Sequence, residues 1–167
     1  NVWMNPHHLT ETGLSSYAGT GQGPAPEVEE GHYDYIYSKY AGKMGLSVES
    51  FKEKYKQGII EVPELDQFFR HDRAMRESGH DTSYRWYVQG ENRCADFATV
   101  DLNSLLYKYE IDLADLIESE FQGAVQYDEN NREDSDKWLR RAEKRKMLIR
   151  KYLFDDKEGI FFDYDTR

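Results

Sequence analysis

Apolar side chains recur at helical spacing in five stretches of this chain, separated by polar connections of unequal length. Ile36, Tyr37, Tyr40 and Met44 mark the first, over 32–44, with Gly42 and Gly45 at its end. Ser47 is placed to cap a short polar helix over 48–57, which Gly58 ends. Pro63 suits the first turn of a third helix, over 63–78, whose apolar side carries Leu65, Phe68, Phe69 and Met75. The clearest pattern follows Asp101, read as an N-cap. Leu102, Leu105, Leu106, Tyr109, Leu113, Leu116 and Ile117 fall at gaps of 3, 1, 3, 4, 3 and 1, which predicts a helix running to about 121. A fifth helix, over 133–154, turns Trp138, Leu139, Ala142, Leu148, Ile149 and Tyr152 inward. Its basic residues Arg140, Arg141, Lys144, Arg145 and Lys146 read as a solvated face paired with Glu133, Asp134 and Glu143.

The remaining stretches lack this period. Residues 1–30 are broken by Gly13, Gly19, Gly21, Gly23, Pro24 and Pro26, although Trp3, Leu9, Leu14 and Tyr17 argue against plain disorder. Residues 80–100 read as a mixed loop with a turn at Gln89–Asn92, and 126–131 as a polar connector. The tail from Ile160 to Tyr164 has strand character behind a turn at 155–159. The expected class is all-α, about five helices with long loops.

Composition narrows the function classes. With 22 Lys+Arg against 32 Asp+Glu the net charge is −10, which disfavours nucleic-acid backbones and anionic membrane surfaces as partners. A neutral, hydroxyl-rich ligand is not disfavoured. Cys94 is the only cysteine, so no intramolecular disulfide forms, and no apolar run reaches the length of a membrane span. Tyrosine is abundant at 13 residues, a composition suited to half-wet walls as well as to core. The low apolar share and the absence of a starting Met suggest a segment of a larger domain.

Several chemistries find no support. His7 and His8 are adjacent and share no helical face, and His71 and His80 have no second ligand at zinc spacing. The acidic tail lacks the ordered ligand positions of a calcium loop, and neither a phosphate-binding loop nor a nucleophile elbow occurs. Carboxylates remain. Asp81, in a Gly79-His80-Asp81 turn near Tyr84 and Trp86, is a candidate general acid, since an apolar wall raises a carboxyl pKa. The plainer reading makes Gly79 a helix C-cap with a polar turn behind it. Glu27 follows Pro24-Ala25-Pro26, which restrict the backbone, and could bind a hydroxyl; a solvated loop acid is the plainer alternative.

Three blocks, in order, carry a resemblance: Arg76-Glu-Ser-Gly-His-Asp81-Thr-Ser-Tyr-Arg85, then Cys94 through Glu110 including Val100-Asp-Leu-Asn103, then Tyr152 through Asp165. Together they resemble the trehalase family, most closely its fungal cytosolic neutral branch. The resemblance implies an (α/α)6 toroid that hydrolyses α,α-trehalose to two glucoses with inversion, in the cytoplasm. It implies that Asp81 is the general acid and that Gly79 lines the sugar subsite. Glu27 would bind sugar hydroxyls, because Pro24-Ala25-Pro26-Glu27 matches a family Pro-Arg-Pro-Glu block. Ala25 stands where that block has arginine, and Arg76 would supply a guanidinium instead.

The family's glycine-rich and Gln-Trp-Asp signature blocks, and its catalytic-base glutamate, have no match in residues 1–167. The chain is therefore expected to be one central segment of a catalytic domain, inactive alone, with trehalose and the rest of that domain as partners. No cofactor is expected within it. Calcium regulation and regulatory protein partners of the fungal branch would act through other regions. The alternatives are a non-catalytic helical interaction module built on the 101–121 helix, or a glycosidase of the same toroid acting on another sugar.

Overall fold

The computed structural model describes residues 2–80 and 83–167. The chain divides into two units, one formed by Ala18–Ala95 and the other by Asn1–Tyr17 together with Asp96–Arg167.

The Ala18–Ala95 unit holds α1 (Asp34–Met44), α2 (Val48–Lys56) and α3 (Pro63–Ser78), then a hairpin of β1 (Tyr87–Val88) and β2 (Glu91–Asn92). Its helix ends follow local chemistry. Gly45 closes α1 in the left-handed region, Ser47 Oγ accepts the Ser50 amide at 3.2 Å, and Pro63 opens α3. The hairpin turns through Gln89 and Gly90, both at positive φ, as a two-residue connection of this twist requires. Tyr33, Tyr37, Phe51, Leu65 and Phe69 form the core. The Tyr33 ring meets Phe69 edge-on, with centroids 5.1 Å apart, a geometry that contributes about 0.5–1.5 kcal/mol beyond area burial.

In the other unit residues 2–17 lie without regular structure apart from one turn of 3-10 helix at Val2–Met4, yet Leu14 and Tyr17 are buried. The elements that follow are β3 (Phe97–Ala98), α4 (Val100–Phe121), β4 (Ala124–Gln126), β5 (Arg132–Asp134), α5 (Ser135–Tyr152), β6 (Phe154–Asp155), β7 (Ile160–Phe161) and β8 (Tyr164–Asp165). α4 packs on α5, and the strands pair antiparallel as β3–β8, β4–β5 and β6–β7. A single bridge also joins Ser16 to Ala98. Among the described residues the five expected helices are present, with four two-stranded ladders filling the connections.

Three readings of this unit need correction. Asp101 is not the N-cap of α4: the helix starts at Val100, and the Val100 amide donates to Asp163 Oδ1, at 2.9 Å, from the far end of the chain. Leu105, Tyr109 and Leu116, expected inward, are exposed by 66%, 49% and 49%. The buried face is instead Leu102, Asn103, Leu106, Glu110, Ala114 and Ile117. Two polar members hid it. Leu139 of α5 is likewise exposed, as is Met44 of α1 in the Ala18–Ala95 unit.

The third correction concerns Arg145, grouped above with the solvated basic face. Its side chain is 3% exposed, and its guanidinium donates to both Glu110 oxygens at 2.9–3.1 Å. Arg145 Nη1 also donates to Asn103 Oδ1 at 3.0 Å. Asn103 in turn accepts the Ser15 amide and donates to the Ser15 and Thr99 carbonyls, each at 2.8–2.9 Å. Side-chain chemistry thus holds the irregular N-terminal stretch where no strand is long enough to do so. The other basic residues behave as expected where their pairs are seen, with Arg140–Asp134 and Lys146–Glu143 at 3.9 and 3.4 Å.

Candidate functional site

Two of the residues singled out in the sequence, Arg76 and Gly79, lie at the C-terminal turn of α3. Gly79 ends this helix at φ 72, ψ 4, and its amide donates to Arg76 O at 3.0 Å. Positive φ favours glycine here, although the space where a Cβ would sit is open. The helix-cap reading and the subsite reading are therefore compatible: a glycine that closes a helix also leaves bare backbone facing outward.

Arg76 lies one turn back. Its Nε donates to Asp72 Oδ2 at 2.9 Å, and the same oxygen accepts the Tyr33 hydroxyl at 2.5 Å. One Arg76 terminal nitrogen sits 3.3 Å from His32 Nε2. Burial, then the hydrogen bond to Asp72 and its charge, push the Tyr33 hydroxyl well above the usual tyrosine range. Burial would lower the Arg76 pKa, but contact with Asp72 and Tyr33 outweighs it and raises the value. With its Nε held from below, the guanidinium keeps one orientation at the helix end.

Beyond Gly79, the His80 amide donates to Ser78 Oγ at 3.0 Å, and the Ser83 amide donates to His80 O at 3.1 Å. Asp81, the candidate acid, and Thr82 lie outside the described residues. Of the two aromatics read as its walls, Trp86 is 1% exposed, with the His80 ring 5.8 Å away and the Arg85 guanidinium 5.0 Å over its face. Tyr84 is exposed and lies against Tyr87, with centroids 5.0 Å apart.

Glu27 is exposed on its loop, while its neighbour Ala25 is buried. No hydrogen bond or ion pair joins Glu27 to Arg76 or Gly79 among the described residues. A cleft of about 890 Å³ opens in the same unit, walled by Pro24, Pro26, Tyr33, Tyr37, Tyr55 and Asp66 among others, and Glu27 is not part of its wall. The Tyr55 hydroxyl donates to Asp66, and burial followed by that contact raises its pKa.

Three residues of α3 that the sequence reading passed over act here: Asp72, Arg73 and Glu77. Their only signal was spacing. Asp72–Arg76 and Arg73–Glu77 are both i,i+4 pairs, the pattern of an ordinary solvated helix face. Asp72 and Arg76 do pair. Arg73 and Glu77 reach instead for the backbone of residues 18–23.

Comparison with known proteins bears on the whole chain. The trehalase family model matches residues 1–167. The cytosolic neutral trehalase of Saccharomyces cerevisiae is 47% identical over 169 residues, covering 99% of this chain and 22% of that protein. The cytosolic neutral trehalase of Emericella nidulans is 44% identical over 176 residues, covering 99% and 23%. The solved structure of neutral trehalase Nth1 from Saccharomyces cerevisiae matches with a TM-score of 0.90 at 46% identity, over 100% of this chain and 30% of that one. The chain thus spans under a quarter of the length of these curated relatives. The fold is that of a segment of a glycosidase toroid.

Proposed function

The chain belongs to the trehalase family, and we propose that the protein containing it hydrolyses α,α-trehalose to two glucose molecules by an inverting acid–base mechanism. Asp81 acts as the general acid. It protonates the bridging oxygen as the bond to the anomeric carbon breaks, so the leaving glucose departs as an alcohol. A second carboxylate takes a proton from the water that attacks the opposite face of the ring. For inversion it stands about 6.5–9.5 Å from Asp81. No residue of this chain is assigned that role, so residues 1–167 alone do not complete the reaction.

Arg76, Gly79 and Glu27 bind the sugar in this scheme. The observation that carries the reading is the arrangement at the end of α3. Arg76 is oriented by Asp72 and Tyr33, three residues before a glycine whose missing Cβ leaves open space, and Asp81 follows two residues later. An oriented cation and exposed backbone, with a carboxylic acid two residues on in the sequence, suit a ligand that is neutral and rich in hydroxyls. The relatives named as cytosolic support action in the same compartment.

Trehalose turnover by the full-length protein tests the assignment. Asp81→Asn should abolish it to within background, since an amide cannot protonate the leaving oxygen. Near-normal turnover would remove Asp81 from the mechanism.

A further inference from the structure

Residues Ala18–Gly23 form neither helix nor strand, and their backbone finds its partners on α3. The Ala18 and Gly19 amides both donate to Glu77 Oε2, at 2.8 and 3.0 Å. The Gly21 carbonyl accepts from Arg73 Nη2 at 2.7 Å, and the Gly23 carbonyl accepts from Arg73 Nη1. Two side chains one helical turn apart therefore hold four backbone groups of a six-residue stretch. The stretch needs holding, because Gly19, Gly21 and Gly23 all sit at positive φ and glycine loses the most freedom when ordered.

Gly19 shows how tightly the stretch is pressed down. A Cβ there would stand 2.5 Å from Arg73 Cβ and 2.7 Å from the Arg73 backbone carbon. No side chain fits without lifting the segment off the helix. Arg73 is buried and meets the loop with a planar fork, one nitrogen to each carbonyl; a lysine ammonium has a single nitrogen to offer.

The grip is transmitted onward. Pro24 and Pro26 restrict φ on either side of the buried Ala25, so the path from Gly23 to Glu27 is stiff. The loop's far end returns to the same helix, where the Tyr33 hydroxyl meets Asp72. Glu27 thus rides on a loop whose two ends are fastened to adjacent residues, Asp72 and Arg73, of the helix that also carries Arg76 and Gly79. We infer that Arg73, with Glu77 and Gly19, is a positioning clamp that sets where Glu27 stands toward the sugar. The inference rests on the reading of Glu27 as a substrate ligand given above.

Steady-state kinetics on trehalose, in the full-length protein, separates the two claims. Arg73→Lys should raise KM about tenfold while kcat changes by less than about threefold, the pattern of lost substrate binding. In a Glu27→Gln background the same change should add less than about twofold, because Arg73 acts through Glu27. Glu77→Ala and Gly19→Ala should raise KM in the same direction, and Glu77→Ala should speed amide exchange at Ala18 and Gly19. If Glu27→Gln raises KM and Arg73→Lys leaves it unchanged, or if their effects multiply in full, the clamp is overturned and the substrate reading stands. If Glu27→Gln leaves KM unchanged, the substrate reading of Glu27 fails and the clamp falls with it. Should Arg73→Lys prove too unstable to assay, Glu77→Ala decides by the same criteria.

Discussion

Arg145 and Glu110 are 35 residues apart in sequence and face each other across α4 and α5 with side chains 3% and 1% exposed. Removing one partner leaves a buried charge without its counterion. Glu110→Leu or Arg145→Met alone should destabilise the protein by about 3–5 kcal/mol, whereas the double change should cost far less. Denaturant unfolding of the full-length protein reads the difference. A double-variant loss equal to the sum of the two single losses would mean that the pair is not energetically coupled.

Asp72 offers a test of how Arg76 is held. Asp72→Asn keeps the shape but removes the charge that both Arg76 and Tyr33 bond. The lost charge-assisted hydrogen bond is of the order of 1.5 kcal/mol, so kcat/KM on trehalose should fall about tenfold. The fall should appear mainly in KM. A variant with unchanged kinetics would show that the Asp72 charge does not set how Arg76 meets substrate.

Two tyrosines, one buried and one half-buried, predict an alkaline limit. Tyr33 and Tyr55 are each raised by burial first and by a carboxylate neighbour second. For an acid raised on folding, the native state favours the proton-bound form. Their contribution is therefore full below the unfolded tyrosine value near pH ~10, and it is lost as pH climbs above that value. Melting temperatures across pH 9–12 should fall for the parent and fall less steeply for Tyr33→Phe and Tyr55→Phe. At neutral pH those variants should start lower, by roughly 1–3 kcal/mol each, for the lost hydrogen bond to a carboxylate.

Gly79 separates helix-ending from ligand contact. Ala at φ 72 is strained, at a cost of about 1 kcal/mol, while Asn tolerates that conformation better. Both add a side chain toward open space. If bare backbone at this position meets sugar, Gly79→Asn should raise KM while the melting temperature stays close to the parent's. A loss confined to stability, and seen only in Gly79→Ala, would restrict the glycine to its capping role.

What the sequence made legible follows from how local each cause is. Ser47, Pro63, Gly45 and Gly79 act on their own turn, so the ends of α1, α2 and α3 could be read from adjacent residues. The start of α4 could not, because its first amide is met by Asp163, 63 positions away. The inner face of α4 was misread for a related reason. Asn103 and Glu110 look solvated until Ser15 and Arg145 are placed against them, and no periodicity carries that information. At the candidate site, Arg76 and Gly79 came from a local motif. Asp72, Arg73 and Glu77 were disguised as surface ion pairs, since their roles depend on a loop about fifty residues upstream.

The bridge between Ser16 and Ala98 has a topological consequence. The chain leaves the unit built on α4 and α5 just after Ser16 and re-enters it just before Ala98, so exit and return lie side by side. Ala18–Ala95 is in effect an excursion that departs from and returns to one place on that unit. Pairing of Ser16 with Ala98 closes a long loop, and the entropy of that closure is borne once, at the bridge. A short glycine–serine link from Tyr17 to Asp96 would span the same gap and shorten that loop, leaving the unit's own contacts untouched.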